Sequence, residues 1–487
     1  MINLNILKSW SWSKTLIFAG FIFMAILRLI NLNYNSPFRD EAIYIVLGKL
    51  GIIEGDWWSY GSQNWLGGSL YVYPVMSGLA YQLFGLLGSR LLSVIFSLFT
   101  IIFVIKIANL LLIKKAKNIK FLTSLLILFL LGGSTISLYI SRLATYDSCA
   151  YFFFFSALFY LLKNLQVKVN LNGKLFFLSS ALFFLSAMAK FTVLLYLPFV
   201  FLYAYSKAKL SRTRFNFWRK YFAYPLIFAL AIFGLLNLKS LYVFYQLQAS
   251  RKDGDFWGLI RYFWQLTRLN WYFFLPATLG LMIKKQWRLW LALSFSSILI
   301  FVTHLINLRL ATLDKHSFLT ITFLTILSAI GITYLYSLLK KSWQKILSLT
   351  VLVLTLVSYL KVSYQQSLKY NYLWPNTDRL NSFLSVVVKK DERILTEEGP
   401  AVILSAYSPD CAYNITTFDW INYKNNLSLN SYADSVKDSY YDYIELNNNY
   451  LPEQHPYHLI RGQITPEISK NYKEVFADIN FTVYRKK

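Results

Sequence analysis

Two adjacent carboxylates, Asp40 and Glu41, stand in NSPFRDEAIY at residues 35 to 44, shortly after the apolar run KTLIFAGFIFMAILRLINL. A charged side chain at the centre of a bilayer costs roughly 2.5 to 3.5 kcal/mol on insertion scales, so Arg39, Asp40 and Glu41 are expected at or beyond the membrane interface. A third carboxylate, Asp147, follows Arg142 by five residues in SRLATYDSCAYFF. Acidic groups with a cation at one aqueous membrane face suit removal of a proton from a hydroxyl beside a phosphate. Asp147 taken alone reads equally as a helix cap, because a side-chain oxygen there accepts an otherwise unpaired backbone N–H.

Basic residues that could meet a phosphate fall in three places. Lys190 interrupts AMAKFTVLLY between two apolar runs, where a lysine either snorkels or holds an anion. The segment from 239 to 269 carries Lys239, Arg251, Lys252, Arg261 and Arg268, interleaved with Phe256, Trp257, Tyr262, Phe263 and Trp264. That pattern fits an interfacial helix or a cradle for a lipid phosphate. LRLATLDKHSF, at 308 to 318, supplies Arg309, Lys315 and His316. No GxGxxG, P-loop, HExxH or CxxC zinc spacing occurs, and the 4 His residues make no ligand pair, so a divalent metal has no support in the sequence. Asn414, Asn426 and Asn480 open glycosylation triplets, which are frequent by chance in an Asn-rich stretch.

The elements that must position these groups follow from composition. The 487 residues are 56% hydrophobic and only 15% charged, and apolar runs near 20 residues recur over the first three quarters. That is a polytopic α-helical membrane protein. A formal charge of +26 suggests nucleic acid at first, but the Lys and Arg residues collect in short segments between apolar runs. Such clustering is the positive-inside signal, and nucleic acid is excluded as a partner. Cys149 and Cys411 lie in an apolar run and in the polar tail, which excludes a disulfide framework.

About eleven spans are expected, near 13–31, 90–113, 121–140, 148–163, 174–189, 191–206, 221–238, 270–284, 288–306, 317–338 and 343–364. LYVYPVMSGLAYQLFGLL at 70–87 is ambiguous. If it lies flat, the clusters at 114–120, 207–220, 284–288 and 340–345 share one side with Lys8 and Lys14, which makes that side cytoplasmic. The first apolar run is full length and lacks a small-residue cleavage site, so it is expected to remain as the first span. The first external loop then runs over 32–89. In it, Ile43, Leu47 and Leu50 mark one apolar face of a helix on the membrane surface, begun by the carboxylates that a helix N-terminus favours. Residues 1–364 form the membrane domain, and 365–487 a small extracytoplasmic α/β domain. In that domain RILTEE, AVILSAY, YDYIELNNN and FTVYRKK read as strands behind a helical NSFLSVVVKK.

FRDEAIY after the first span, EGDWW, YPVMSGLAYQLFG, SRLLS, the turn SRLATYD and MAKF, in this order, resemble the GT-C membrane glycosyltransferases. Among them the chain is similar to protein O-mannosyltransferases and lipid A aminoarabinose transferases over roughly residues 13–340, and DFWGLIRYFW at 255–264 resembles an external loop of the latter. The resemblance implies a sugar donor carried on a polyprenyl phosphate, a glycan, lipid or protein acceptor, membrane lipids as partners, and inverting displacement at the anomeric carbon. It implies a bacterial plasma membrane, with the N-terminus cytoplasmic. Asp40 matches the general base and Glu41 its neighbour; Arg142 and Asp147 match the SRxxxxD turn, and Lys190 the lysine beside the donor phosphate. The Glu-Lys-Pro of the aminoarabinose enzymes is here Val72, Tyr73 and Pro74, so a metal ligand and a phosphate-binding lysine do not carry over. Phosphate charge then falls to Arg142, Lys190, Arg251, Arg261, Lys315 or His316. A polytopic lipid or glycan flippase is the alternative, although the chain shows no matched Gly- or Pro-broken repeats.

Overall fold

The computed structural model describes residues 12–53, 72–112, 116–166, 171–245, 252–405, 414–418, 421, 423, 424, 426, 428, 430–449 and 456–487. EGDWW, the loop tryptophans and glycines at 55–68, Arg251 and Cys411 lie outside them. The chain forms two compact units: Met1–Leu32, Asn64–Val72 and Arg90–Tyr370 make the first, and Asn33–Gln63, Tyr73–Ser89 and Asn371–Lys487 the second.

In chain order the helices through the apolar part are α1 (Trp12–Leu29), α2 (Arg39–Ile53), α3 (Tyr73–Leu111), α4 (Lys117–Gly132), α5 (Thr135–Ser141), α6 (Tyr146–Gln166), α7 (Gly173–Ala189), α8 (Leu197–Ala208), α9 (Arg212–Trp218), α10 (Tyr224–Leu236), α11 (Leu238–Phe244), α12 (Phe256–Trp271), α13 (Phe274–Ile283), α14 (Trp287–Asn307), α15 (Leu313–Tyr336) and α16 (Ser342–Tyr370). Among the described residues 8 helices are long and apolar enough to cross a membrane, or 9 if a bent pair counts as one. Two shorter apolar helices, Gly173–Ala189 and Phe274–Ile283, occupy two further expected spans. The span expected over 121–140 is broken: α4 and α5 meet at 65° around Gly133 and Ser134. The ambiguous stretch at 70–87 is joined to the next span as one helix, α3, kinked where Phe84 and Gly85 (φ +61) leave helical geometry.

α15 is the core of the first unit. Its residues are buried all round from Ser317 to Gly331, as befits a helix whose only polar side chains there are Ser and Thr. The hydroxyls of Ser317, Thr322 and Thr333 bond to carbonyls four residues back, which satisfies them inside the helix. α13 crosses α15 at two glycines: a Cβ on Gly331 would stand 2.2 Å from the Ala277 carbonyl oxygen, and one on Gly280 2.0 Å from that of Gly331. Gly331→Val therefore forces the backbones apart. It is expected to cost about 1 to 3 kcal/mol, read as a lowered melting temperature in detergent.

In the second unit the elements after α16 are α17 (Asp378–Val387), β1 (Ile394–Thr396), α18 (Gly399–Ser405), β2 (Ile415–Thr417), α19 (Asn430–Lys437), β3 (Tyr443–Asn447), α20 (Pro456–Asn471), β4 (Tyr472–Ala477) and β5 (Phe481–Lys486). The sheet has the order β2-β1-β3-β5-β4, with β2, β1 and β3 parallel and β5 and β4 antiparallel. Leu395, Ile444, Phe418, Val436, Ile460, Ile464 and Tyr472 fill its core. Of AVILSAY, expected as a strand, residues Ala401 to Ser405 lie instead in the buried helix α18, and Ala406 and Tyr407 fall outside the described residues. Pro400 in the first turn of α18 suits a helix start, and the turn that leads into it is held by a buried carboxylate.

That carboxylate is Glu445. Its Oε2 accepts from Thr396 Oγ1 (2.6 Å) and from the amides of Glu397 (2.9 Å) and Glu398 (3.2 Å), leading the chain into α18. Its Oε1 is buried without a hydrogen-bond partner. Burial first, then the carboxylates of Glu397 and Glu398, push Glu445 up to about 8. The folded chain thus holds a proton that the unfolded chain releases near pH 4.5, the ordinary glutamate value. The stability it contributes is full below about pH 4.5 and is lost as pH rises through about 8. Between pH 5 and pH 8.5 the melting temperature of the full chain is expected to fall further than that of Glu445→Gln, by the equivalent of a few kcal/mol. Parallel curves for the two proteins would refute the assignment.

Candidate functional site

In the first unit the N-terminus of α6, the turn after α7 and the facing ends of α14 and α15 converge. Asp147 is fully buried in the first turn of α6 and accepts from Thr145 Oγ1 at 2.8 Å. Its other oxygen forms an ion pair with Lys190, which ends α7 and is 4% exposed. The Lys190 ammonium also stands over the rings of Tyr146 (5.0 Å) and Tyr151 (5.8 Å). Tyr151 donates its hydroxyl to the Lys315 carbonyl at 3.1 Å, and Lys315 lies within electrostatic reach of Asp147. Lys190 is therefore neither a snorkelling lysine nor a bare anion hook. It neutralises Asp147, and the two hold α6 and α7 together.

A directed chain of hydrogen bonds runs beside this pair. His304 Nδ1 lies 2.6 Å from the Arg309 carbonyl, His304 Nε2 lies 2.8 Å from His316 Nδ1, and His316 Nε2 lies 3.0 Å from Thr192 Oγ1. A carbonyl only accepts, so in the neutral pair His304 carries its proton on Nδ1, His316 donates from Nδ1, and Thr192 donates to His316 Nε2. The loop joining the histidines contains Leu308 (φ 47) and Thr312 (φ 67) in the left-handed region. Such residues cost about 1 to 3 kcal/mol each, so the surroundings must hold them. Asp253 does so: its Oδ1 accepts from the amides of Leu310 (2.6 Å) and Ala311 (3.3 Å), and its own N–H and that of Gly254 donate to the Leu308 carbonyl.

Arg142 is buried, and its Nη2 donates to the carbonyls of Ile30 (2.8 Å) and Asn31 (2.7 Å) beyond the end of α1. Two further buried arginines serve the same helix: Arg90 reaches the Leu32 carbonyl, and Arg28 bonds Ser97, Ser137 and the Met24 carbonyl. Arg261 lies exposed on α12. That helix buries Leu259, Phe263, Leu266 and Asn270 on one face and turns Trp264, Arg261 and Arg268 outward.

In the second unit Asp40 and Glu41 open α2. Glu41 is fully buried, and its Oε2 accepts from the Phe38 N–H at 2.8 Å, the reach-back half of a capping box. Asp40, one position earlier, is half-buried and is the carboxylate of the pair with access to solvent. The buried surface of α2 includes Ala42 and Tyr44 to Leu47, a wider face than the stripe of Ile43 and Leu47; the Leu50 side chain is outside the description. α2 crosses the first turns of α3 so closely that a Cβ on Gly48 would stand 2.0 Å from the Pro74 carbonyl oxygen. Tyr73 is fully buried against Tyr44 with ring centroids 5.8 Å apart.

Of the residues the sequence offers, the structure brings Asp147, Lys190, Lys315 and His316 together; the sequence gives no cue to Thr145, Thr192, His304 or Asp253, which complete the arrangement. His304 precedes His316 by twelve residues across an irregular loop, a spacing with no helical or strand period. Among the described residues no group of 3 or more His, Cys, Asp or Glu side chains is arranged to hold a metal ion.

No protein-family model matches the chain, and no curated protein does. Solved structures do. ArnT from Cupriavidus metallidurans in the apo state is similar with a TM-score of 0.63 at 11% identity, over 97% of this chain and 98% of that one. The same enzyme bound to undecaprenyl phosphate gives 0.56 at 12% identity, over 97% and 98%. The Archaeoglobus fulgidus oligosaccharyltransferase tethered with an acceptor peptide gives 0.51 at 10% identity, over 98% of this chain and 74% of that one. The chain is a multi-pass membrane protein with the GT-C fold and a small carboxyl-terminal α/β domain.

Proposed function

We propose that this protein is an inverting glycosyltransferase that moves a sugar from a polyprenyl-phosphate donor to an acceptor hydroxyl at the external membrane face. The observation that carries the reading is a half-buried carboxylate at a helix entrance just after the first span, in a chain whose fold is shared end to end with lipid-linked glycosyl transferases. The N-terminus is cytoplasmic and residues 365–487 are extracytoplasmic, as the Lys and Arg distribution supports.

Asp40 acts as general base. It takes the proton of the acceptor hydroxyl as that oxygen forms a bond to the anomeric carbon and the bond from that carbon to the phosphate oxygen breaks. Polyprenyl phosphate leaves with the electron pair. A phosphate is already a good leaving group, so the protein's work is deprotonation, alignment and stabilisation of charge growing on phosphate. Lys315 supplies that stabilisation, with Lys190 neutralising Asp147 and His316 tied into its hydrogen-bond chain beside them, and Arg251 and Arg261 attract the anionic carrier. Arg142 and Glu41 serve the scaffold, as their backbone partners support. One neighbour of the same fold was solved with undecaprenyl phosphate, which supports a carrier of that class here.

The test is release of free polyprenyl phosphate by the purified protein from a panel of polyprenyl-phosphate sugars with lipid, glycan and peptide acceptors. Release with at least one donor is expected. No release with any donor, together with movement of the intact donor across proteoliposomes, would replace this reading by the flippase one.

A further inference from the structure

The carboxyl-terminal domain and the helix bearing Asp40 belong to one compact unit. Arg39, the residue before Asp40, donates from Nη2 to the hydroxyl of Tyr457, and its guanidinium stands 5.1 Å from that ring's centroid. Tyr457 opens α20 and is buried, edge-on to Phe418 at 5.4 Å. α20 is itself fixed by Arg461, which grips both oxygens of Glu397 and the Asn447 carbonyl. Glu397 leads into α18, and α18 packs on α2.

The approach to α2 is held from the same direction. Asn35 donates to the carbonyls of Asn371 (3.2 Å) and Trp374 (3.1 Å), Ser36 Oγ accepts from the Thr377 N–H (2.9 Å), and Trp374 Nε1 donates to the Ser36 carbonyl (3.0 Å). The Phe38 ring lies against Trp374 with centroids 5.0 Å apart. Asp40 thus follows a segment clamped by residues 371–377 and a side chain clamped by Tyr457.

We infer that Tyr457 is a positioning residue for the base: through Arg39 it sets the direction in which Asp40 faces the acceptor hydroxyl. This rests on the reading of Asp40 as the general base. It gives the carboxyl-terminal domain a part in proton transfer, beyond any part in acceptor recognition. Misplacement of a reacting group by about 1 Å costs up to roughly 100-fold, and loss of one hydroxyl contact at one remove costs less.

Tyr457→Phe keeps the ring and removes the hydroxyl. With a donor that the wild type turns over, kcat is expected to fall by roughly 10-fold while KM for the donor stays within about twofold. In the Asp40→Asn background the same substitution is expected to cause no further loss, because there is no base left to aim. Arg39→Lys, which keeps the charge but loses the fork, is expected to reproduce the kcat loss and to be non-additive with Tyr457→Phe. Wild-type activity in Tyr457→Phe, or equal fractional losses with and without Asp40, overturns the inference and leaves the transferase reading standing. A wild-type chain that releases polyprenyl phosphate from no donor overturns both.

Discussion

Asp40→Asn lowers the rate of sugar transfer by about 100- to 10,000-fold while donor binding is retained, the range that removal of a general base produces. The expectation rests on the different states of two neighbouring carboxylates. Glu41 is buried and already accepts the Phe38 N–H, so a proton taken up there would weaken the start of α2. Asp40 lies partly exposed on the same turn. Asn keeps the size and a cap-competent oxygen, and the carboxylate it replaces is worth only about 0.3 to 1 kcal/mol to the helix dipole, so the fold is kept. Glu41→Gln completes the comparison, because Gln also serves the reach-back position of a capping box. It retains most transfer activity where Asp40→Asn does not. Equal turnover by Asp40→Asn and the wild type, at matched melting temperature, would remove Asp40 from the reaction.

Breaking the buried pair of Asp147 and Lys190 has the largest expected effect on stability. Removing one partner of a buried ion pair leaves an uncompensated charge and costs about 3 to 5 kcal/mol. Asp147→Asn is expected at the upper end, because Lys190 loses its ion-pair partner while Lys315 still repels it, and only Asp314 remains as a nearby carboxylate. Lys190→Met is milder, since Lys315 and the Thr145 hydroxyl still act on Asp147. The double variant Asp147→Leu, Lys190→Met replaces both charges with apolar groups of similar volume and should recover most of the melting temperature. Melting curves of the three variants in one detergent decide the matter. A double variant no more stable than Asp147→Asn would show that the pair does more than neutralise itself.

Much of this was legible before any coordinates. Apolar runs of about 20 residues specify helices because lipid leaves no other partner for the backbone, so the spans from α1 to α16 stand where the runs stand. The break inside one run is marked only faintly: Gly133 and Ser134 bend the span expected over 121–140 by 65°, and the cue is the short GGST with Ser134 as the cap of α5. The carboxylate at the head of α2 was found from its charge beside an apolar run, and Lys190 from the same contrast. The strand expectation for AVILSAY weighs valine, isoleucine and tyrosine over the Gly399-Pro400 start before them, while the turn into the helix is held by Glu445, more than forty residues further along. The histidine relay and the grip of Tyr457 on Arg39 were hidden for one reason. Each joins positions with no shared period, and only the folded chain brings them within bonding distance.

The sequence separation between Arg39 and Tyr457 has a consequence for biosynthesis. Asp40 leaves the ribosome long before the groups that fix its turn, Asn371 to Thr377 and Tyr457. At the usual pace of about 5 to 20 residues per second, translation of the intervening stretch takes roughly 20 to 80 s. Throughout that time the nascent chain is inserted in the bilayer with its reactive turn unbraced. The brace on the Asp40 turn is therefore complete only once Tyr457 has been made, and a product terminated before it lacks that brace.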